Sequence, residues 1–166
     1  MNNLLRVFMV LATAACAAAG ANVEVATSTQ ATTDVKMDAN PGSAFWKQAA
    51  PVFAEKDKIG RELSGYRTEI RSRWTPKYIY FLFTCPYEEL FLKPDPVTKT
   101  ETNQLWNWDV AEVFRGSDFQ NIRRYKEFEI SPLCEWIDLN VDLANAHHQV
   151  RCEWIYVVDV VERVVA

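Results

Sequence analysis

The clearest hydrophobic–polar pattern begins at Tyr66. From there Tyr66, Thr68, Ile70, Ser72 and Trp74 alternate with Arg67, Glu69, Arg71 and Arg73. A period of two with one charged face predicts a half-exposed β-strand. Thr75, Pro76 and Lys77 follow as a turn, with proline at a natural corner position. Residues 78–84 are then apolar almost to their end, which fits a strand buried on both faces or one with an aromatic face. Together the two strands predict a hairpin. Alternation returns over residues 108–114, with Trp108, Val110, Glu112 and Phe114 on one face and Asp109, Ala111 and Val113 on the other. It recurs over 124–131 and 135–143, after a turn at 116–118 and with Pro132 as punctuation. Strands at this spacing, with no amphipathic helix between them, predict an all-β fold: an antiparallel β-sandwich of the immunoglobulin or jelly-roll kind.

The intervening segments have their own signatures. Residues 41–53 hold Phe45, Trp46 and Val52 and predict one short helical turn, stopped by Pro51. Residues 85–107 form a long connection with Pro86, Pro94 and Pro96, a length that is usually functional or disordered in a compact domain. Residues 22–40 lack a helical period and read as a flexible N-terminal segment or a first edge strand. Residues 1–21 read as a signal peptide: Arg6 supplies a basic start, residues 7–19 an apolar run, and Ala19-Gly20-Ala21 a small-residue cleavage site. The run is short for a membrane span, so none is expected. The sandwich domain is accordingly placed at 41–166, in an exported protein of the periplasm or extracellular space. The apolar stretch 153–166 could pair as a further strand.

Charge and composition narrow the function. The chain has 18 Lys and Arg against 22 Asp and Glu, a net charge of −4, which argues against a nucleic-acid partner. Only 5 glycines are present, and neither phosphate-cradling glycine motif occurs. Aromatic residues are abundant, with 6 Trp, 6 Tyr and 9 Phe. Beyond the signal segment lie Cys85, Cys134 and Cys152. Export permits one disulfide with a leftover thiol, although buried thiols are the simpler reading.

Three groups of residues could carry chemistry. The first is Trp106, Trp108, Asp109 and Glu112, where the long connection meets a strand. Sugars present flat C–H faces and rings of hydroxyls, and a site for them wants an aromatic platform beside carboxylate acceptors. The alternative is that both tryptophans are core and the acids a solvated face. The second is Glu127, Glu129, Glu135 and Asp138. Glu127 and Glu129 occupy alternate positions on one strand face, near the separation used in glycoside hydrolysis, yet exposed strands commonly carry Glu. Such acids also suit calcium, but no EF-hand spacing is present and no cofactor is expected. The third is His147-His148 with Cys152, read as a polar loop, since adjacent strand residues point to opposite faces and make a poor ligand pair.

Residues 68–85, 105–118 and 125–142 together resemble the carbohydrate-binding module family 9-like domains. The shared pattern is Trp106, Asp109, Glu112 and Phe114, followed by Tyr125, Phe128, Ser131 and Pro132. The resemblance implies an exported, non-catalytic β-sandwich that binds a saccharide or polysaccharide and serves beside glycoside hydrolases. It makes Trp106 one wall of an aromatic clamp, Glu112 a ligand to sugar hydroxyls and Asp109 more structural, with Trp108 and Glu129 near the same site. Two positions depart from the family. Glu129 stands where binding members carry Arg, and the region of the second clamp Trp is not recognisable after about residue 145, so the sandwich is expected to be incomplete at its C-terminus. Two other functions stay open: a haem-binding electron-transfer sandwich, using Met37, His147 or His148 as axial ligands, and a glycoside hydrolase using the strand acids.

Overall fold

A computed structural model describes residues 25–116, 120–144 and 147–150 of the chain. Eight strands form two four-stranded sheets and, among the described residues, the only helical turns are two short 3-10 turns, Trp46–Gln48 and Leu105–Asn107. The fold is an all-β sandwich built mainly from antiparallel pairs. The predicted signal segment and the stretch 153–166 lie outside the described residues. So does Cys152.

The first sheet is organised around β3 (Thr68–Trp74). β4 (Ile79–Thr84) runs antiparallel along one edge, closing the hairpin that the alternation predicts, with Trp74 opposite Ile79 and Glu69 opposite Thr84. The other edge is shared. β2 (Val52–Ala54) pairs antiparallel with residues 68–70, and β1 (Thr29–Gln30) pairs in parallel with Arg73 and Trp74. Thus a short edge strand forms within the segment 22–40. Val35, Met37 and Ala39 farther along it pack against the core of Trp46, Tyr80 and Leu82.

The charged face of β3 is not left to solvent as the sequence pattern predicts. Arg73 is only 4% exposed. The turn Trp46–Gln48 lies over that face, and β3 arginines bind the backbone there. Arg73 donates from Nη1 to the Phe45 carbonyl (2.9 Å) and from Nη2 to the Gln30 carbonyl (3.0 Å), while Arg71 donates from Nη1 to the Trp46 carbonyl (3.0 Å). A short turn leaves carbonyls without internal partners, and the guanidinium fork satisfies several at once. Arg73 also lies 4.6 Å from the centre of the Phe45 ring, a cation–π contact. One residue therefore ties β1, the turn and β3 together.

The second sheet is a meander of β5 (Ala111–Arg115), β6 (Arg124–Ile130), β7 (Trp136–Asp142) and β8 (His147–Val150). The reading of His147-His148 as a polar loop is corrected here. Both belong to β8, with His147 opposite Asp142 and His148 opposite Val141. The strand covers the otherwise open edge of β7, as sheet edges require. In the β6–β7 turn the Ser131 N–H donates to the Glu135 carbonyl and Cys134 takes a left-handed φ of 65°. The turn Leu105–Asn107 packs on the sheet through Leu105, which is fully buried against Ile137, Leu139 and Val141, with Val110 and Tyr125 at the margin.

Each sheet thus has its own core cluster. Between the sheets lies a wide cleft of about 1720 Å³, lined by residues that include Phe81 and Phe83 of β4 and Val113, Phe128 and Ile130 of the second sheet.

Candidate functional site

The pairing register of the second sheet decides which acids meet. Glu112 on β5 stands directly opposite Glu129 on β6, and Phe114 stands opposite Glu127. Glu127 and Glu129 are two residues apart on one strand, so their side chains leave the same face. Glu112 is a direct cross-strand neighbour of one and a diagonal neighbour of the other. The three side chains converge: one carboxylate oxygen from each of Glu112, Glu127 and Glu129 lies within 4.8 Å of the others.

The cluster sits against the apolar core. On β7, Ile137 pairs with Glu129 and Leu139 with Glu127, and both of these neighbours are buried. Glu129 itself is 3% exposed, while Glu112 and Glu127 are half-buried. Neither carboxylate oxygen of Glu129 has a hydrogen-bond donor. Ionised carboxylates are acceptors only, so their mutual approach satisfies none of them unless a proton or cation intervenes.

The titration behaviour follows from this geometry. Burial first, then the charge of Glu112, and then Glu127 push the Glu129 carboxyl up to about 8. Glu112 is raised as well, by burial and then by the charge of Glu127. Tyr125 on the same face is raised by burial and by both of those glutamates. Like charges near one another in a poorly solvated site cannot all ionise, so near neutral pH the cluster retains a proton.

Trp106 belongs to the turn Leu105–Asn107, which lies close against β6. Buried Leu105 anchors the turn, and Gln104 enters it at a left-handed φ of 63°. Such a conformation is costly for a residue other than glycine and fixes the direction of the chain. Trp106, directly after Leu105, is 40% exposed. Phe114, 57% exposed, shares the strand face with Glu112 and lies 5.7 Å from the ring of Tyr125.

The other sequence-selected residues have different places. Asp109 fastens the long connection. Its Oδ2 accepts from the Phe91 N–H (2.7 Å), and its own N–H donates to the Phe91 carbonyl (2.9 Å). Trp108 stacks on Phe91 at 4.6 Å between ring centres. Glu135 is fully buried away from the three-glutamate group, accepting from Thr102 and Ser131 and lying 3.5 Å from Lys93 Nζ. Asp138 pairs across the ladder with Phe128 and so faces the opposite side of the sheet, near Glu101. Glu127 and Glu129, grouped by sequence with Glu135 and Asp138, are joined by Glu112 instead. Period-two spacing put Glu127 beside Glu129, but only the β5–β6 register brings in Glu112.

Among the cysteines, Cys85 is exposed and Cys134 half-buried, and both are free thiols. Glu129 reaches the lining of the inter-sheet cleft, whereas Trp106, Glu112 and Glu127 do not line it. Among the described residues no helix is long and apolar enough to cross a membrane. No family model, curated protein or solved structure matches the chain.

Proposed function

We propose that this protein is a non-catalytic carbohydrate-binding module, exported to the periplasm or extracellular space, where it captures saccharide beside glycoside hydrolases. The observation that carries this reading is the half-exposed Trp106 on a turn anchored by buried Leu105 to the sheet whose face bears three carboxyl groups. A pyranose ring stacks its C–H face on the indole, and its hydroxyls donate to Glu112 and Glu127. A retained proton lets the cluster also donate to a ring or hydroxyl oxygen. Asp109 and Trp108 act at one remove, by holding the connection from which Trp106 projects.

Isothermal calorimetry with a panel of mono- and disaccharides tests the reading. Saturable heat that disappears in Glu112→Ala supports it. Titrations without heat across the panel, from protein with an intact far-ultraviolet spectrum, contradict it.

A further inference from the structure

We propose that Glu112, Glu127 and Glu129 form a binding site for a hard divalent cation of calcium size. The inference goes beyond saccharide capture and does not depend on it. Three carboxylates from two adjacent strands meet with their oxygens within 4.8 Å. Among the described residues, none of the three forms an ion pair with Lys, Arg or His, so the negative charge of the group is not neutralised by a protein cation. The pointer to a ligand is Glu129. It is 97% buried by its 3% exposure, it is aimed into the group, and both its oxygens are without a donor. Leaving such a group unsatisfied is costly. Its neighbours in the group are carboxylates and cannot supply donors while ionised.

The donor set selects the class of ion. Oxygen-only ligation by carboxylates suits calcium, magnesium or manganese and disfavours softer metals. Calcium bonds lie at about 2.3–2.6 Å, so one ion spans oxygens up to about 4.6–5.2 Å apart; magnesium at about 2.0–2.1 Å spans about 4.2 Å at most. Oxygens no more than 4.8 Å apart fall within calcium's reach without rearrangement. Glu112 and Glu127 are half-buried, which leaves a path from solvent and space for water to complete the coordination shell.

The test uses the purified protein stripped with chelator and titrated with calcium chloride alone. Binding is followed by calorimetry and by displacement of terbium, whose luminescence Tyr125 on the same face can sensitise. One saturable site is expected, weakened at least about tenfold in Glu127→Gln and in Glu129→Gln, as even outer-shell losses cost about that much. Glu112→Gln, at a half-buried position, provides the same reading should Glu129→Gln fail to fold. No saturation up to about 10 mM calcium, above the weakest extracellular sites, would overturn the proposal. So would binding that all folded variants retain, or displacement of calcium by equimolar magnesium. Sugar titrations run with and without calcium keep the two readings apart: loss of calcium binding with sugar binding intact removes only the cation site.

Discussion

Glu112 and Glu129 face each other directly across the β5–β6 ladder, two like-charged side chains at a position where opposite charges or apolar pairs are the stabilising choice. With Glu127 alongside, the arrangement is stable only when charge is removed or balanced. A proton, a cation or sugar hydroxyls can each relieve it, and these three agents give the site its testable chemistry.

The proton makes stability depend on pH. The Glu129 carboxyl rises from an ordinary 4.5 to about 8 in the folded protein. Between those values the unfolded chain has released its proton and the folded protein still holds it. The resulting stabilisation is complete below about pH 4.5 and is lost as pH rises through about 8. Glu112, raised in the same direction, adds with the same sign. In chelator, the contribution of this site to Tm should therefore fall across that window. Glu129→Gln, neutral throughout, should flatten the fall and be the more stable protein near pH 8. Parallel Tm profiles for the two proteins would contradict this.

Glu135 supports a different prediction. It is fully buried and holds Thr102, Ser131 and Lys93 at one point. Glu135→Ala removes the acceptor for groups on the long connection and strands the Lys93 charge. A loss of about 3 kcal/mol is expected, as for other broken buried pairs. Cleavage by trypsin at Lys99 should accelerate with it, whereas the Lys93–Pro94 bond resists trypsin. Urea denaturation and limited proteolysis measure both.

Leu105 carries the tryptophan turn. Its side chain is completely buried against Ile137, Leu139 and Val141. Leu105→Ala should cost about 2–5 kcal/mol and weaken saccharide binding by releasing Trp106. By contrast Trp106→Ala, at a 40% exposed position, should leave Tm within a few degrees of the parent. If Leu105→Ala loses stability yet binds sugar normally, the turn does not position the platform.

Asp109 links the two ends of the connection to one backbone segment. Its paired hydrogen bonds with Phe91 are the reason to expect Asp109→Ala to destabilise the protein by about 1–2 kcal/mol. Faster amide exchange should be confined to residues 85–109. Uniform exchange across both sheets would show that the contact does not act locally.

The legibility of these features in the sequence followed the range of the interactions involved. The β3–β4 hairpin and strands β6 and β7 were readable because alternation is a local signal, and the short turn at Trp46–Gln48 was likewise written in neighbouring residues, although it ends at Gln48, before Pro51. The burial of Arg73 was not, because its partners Phe45 and Gln30 are 28 and 43 residues away. Nor was strand pairing by His147 and His148, whose polar character suggested a loop but whose place is set by the free edge of β7. The carboxylate group shows the same limit. Period two placed Glu127 and Glu129 on one face. Whether Glu112 joined them depended on register, and a slip of one residue would have sent it to the opposite side.

Saccharide capture at Trp106 is measured most directly by titrating the protein with mono- and disaccharides while following tryptophan fluorescence. Capture at Trp106 predicts a saturable change for at least one sugar that vanishes in Trp106→Ala while Tm is preserved. An equal response from Trp106→Ala, or a flat titration from cooperatively folded protein, would contradict saccharide binding at this face.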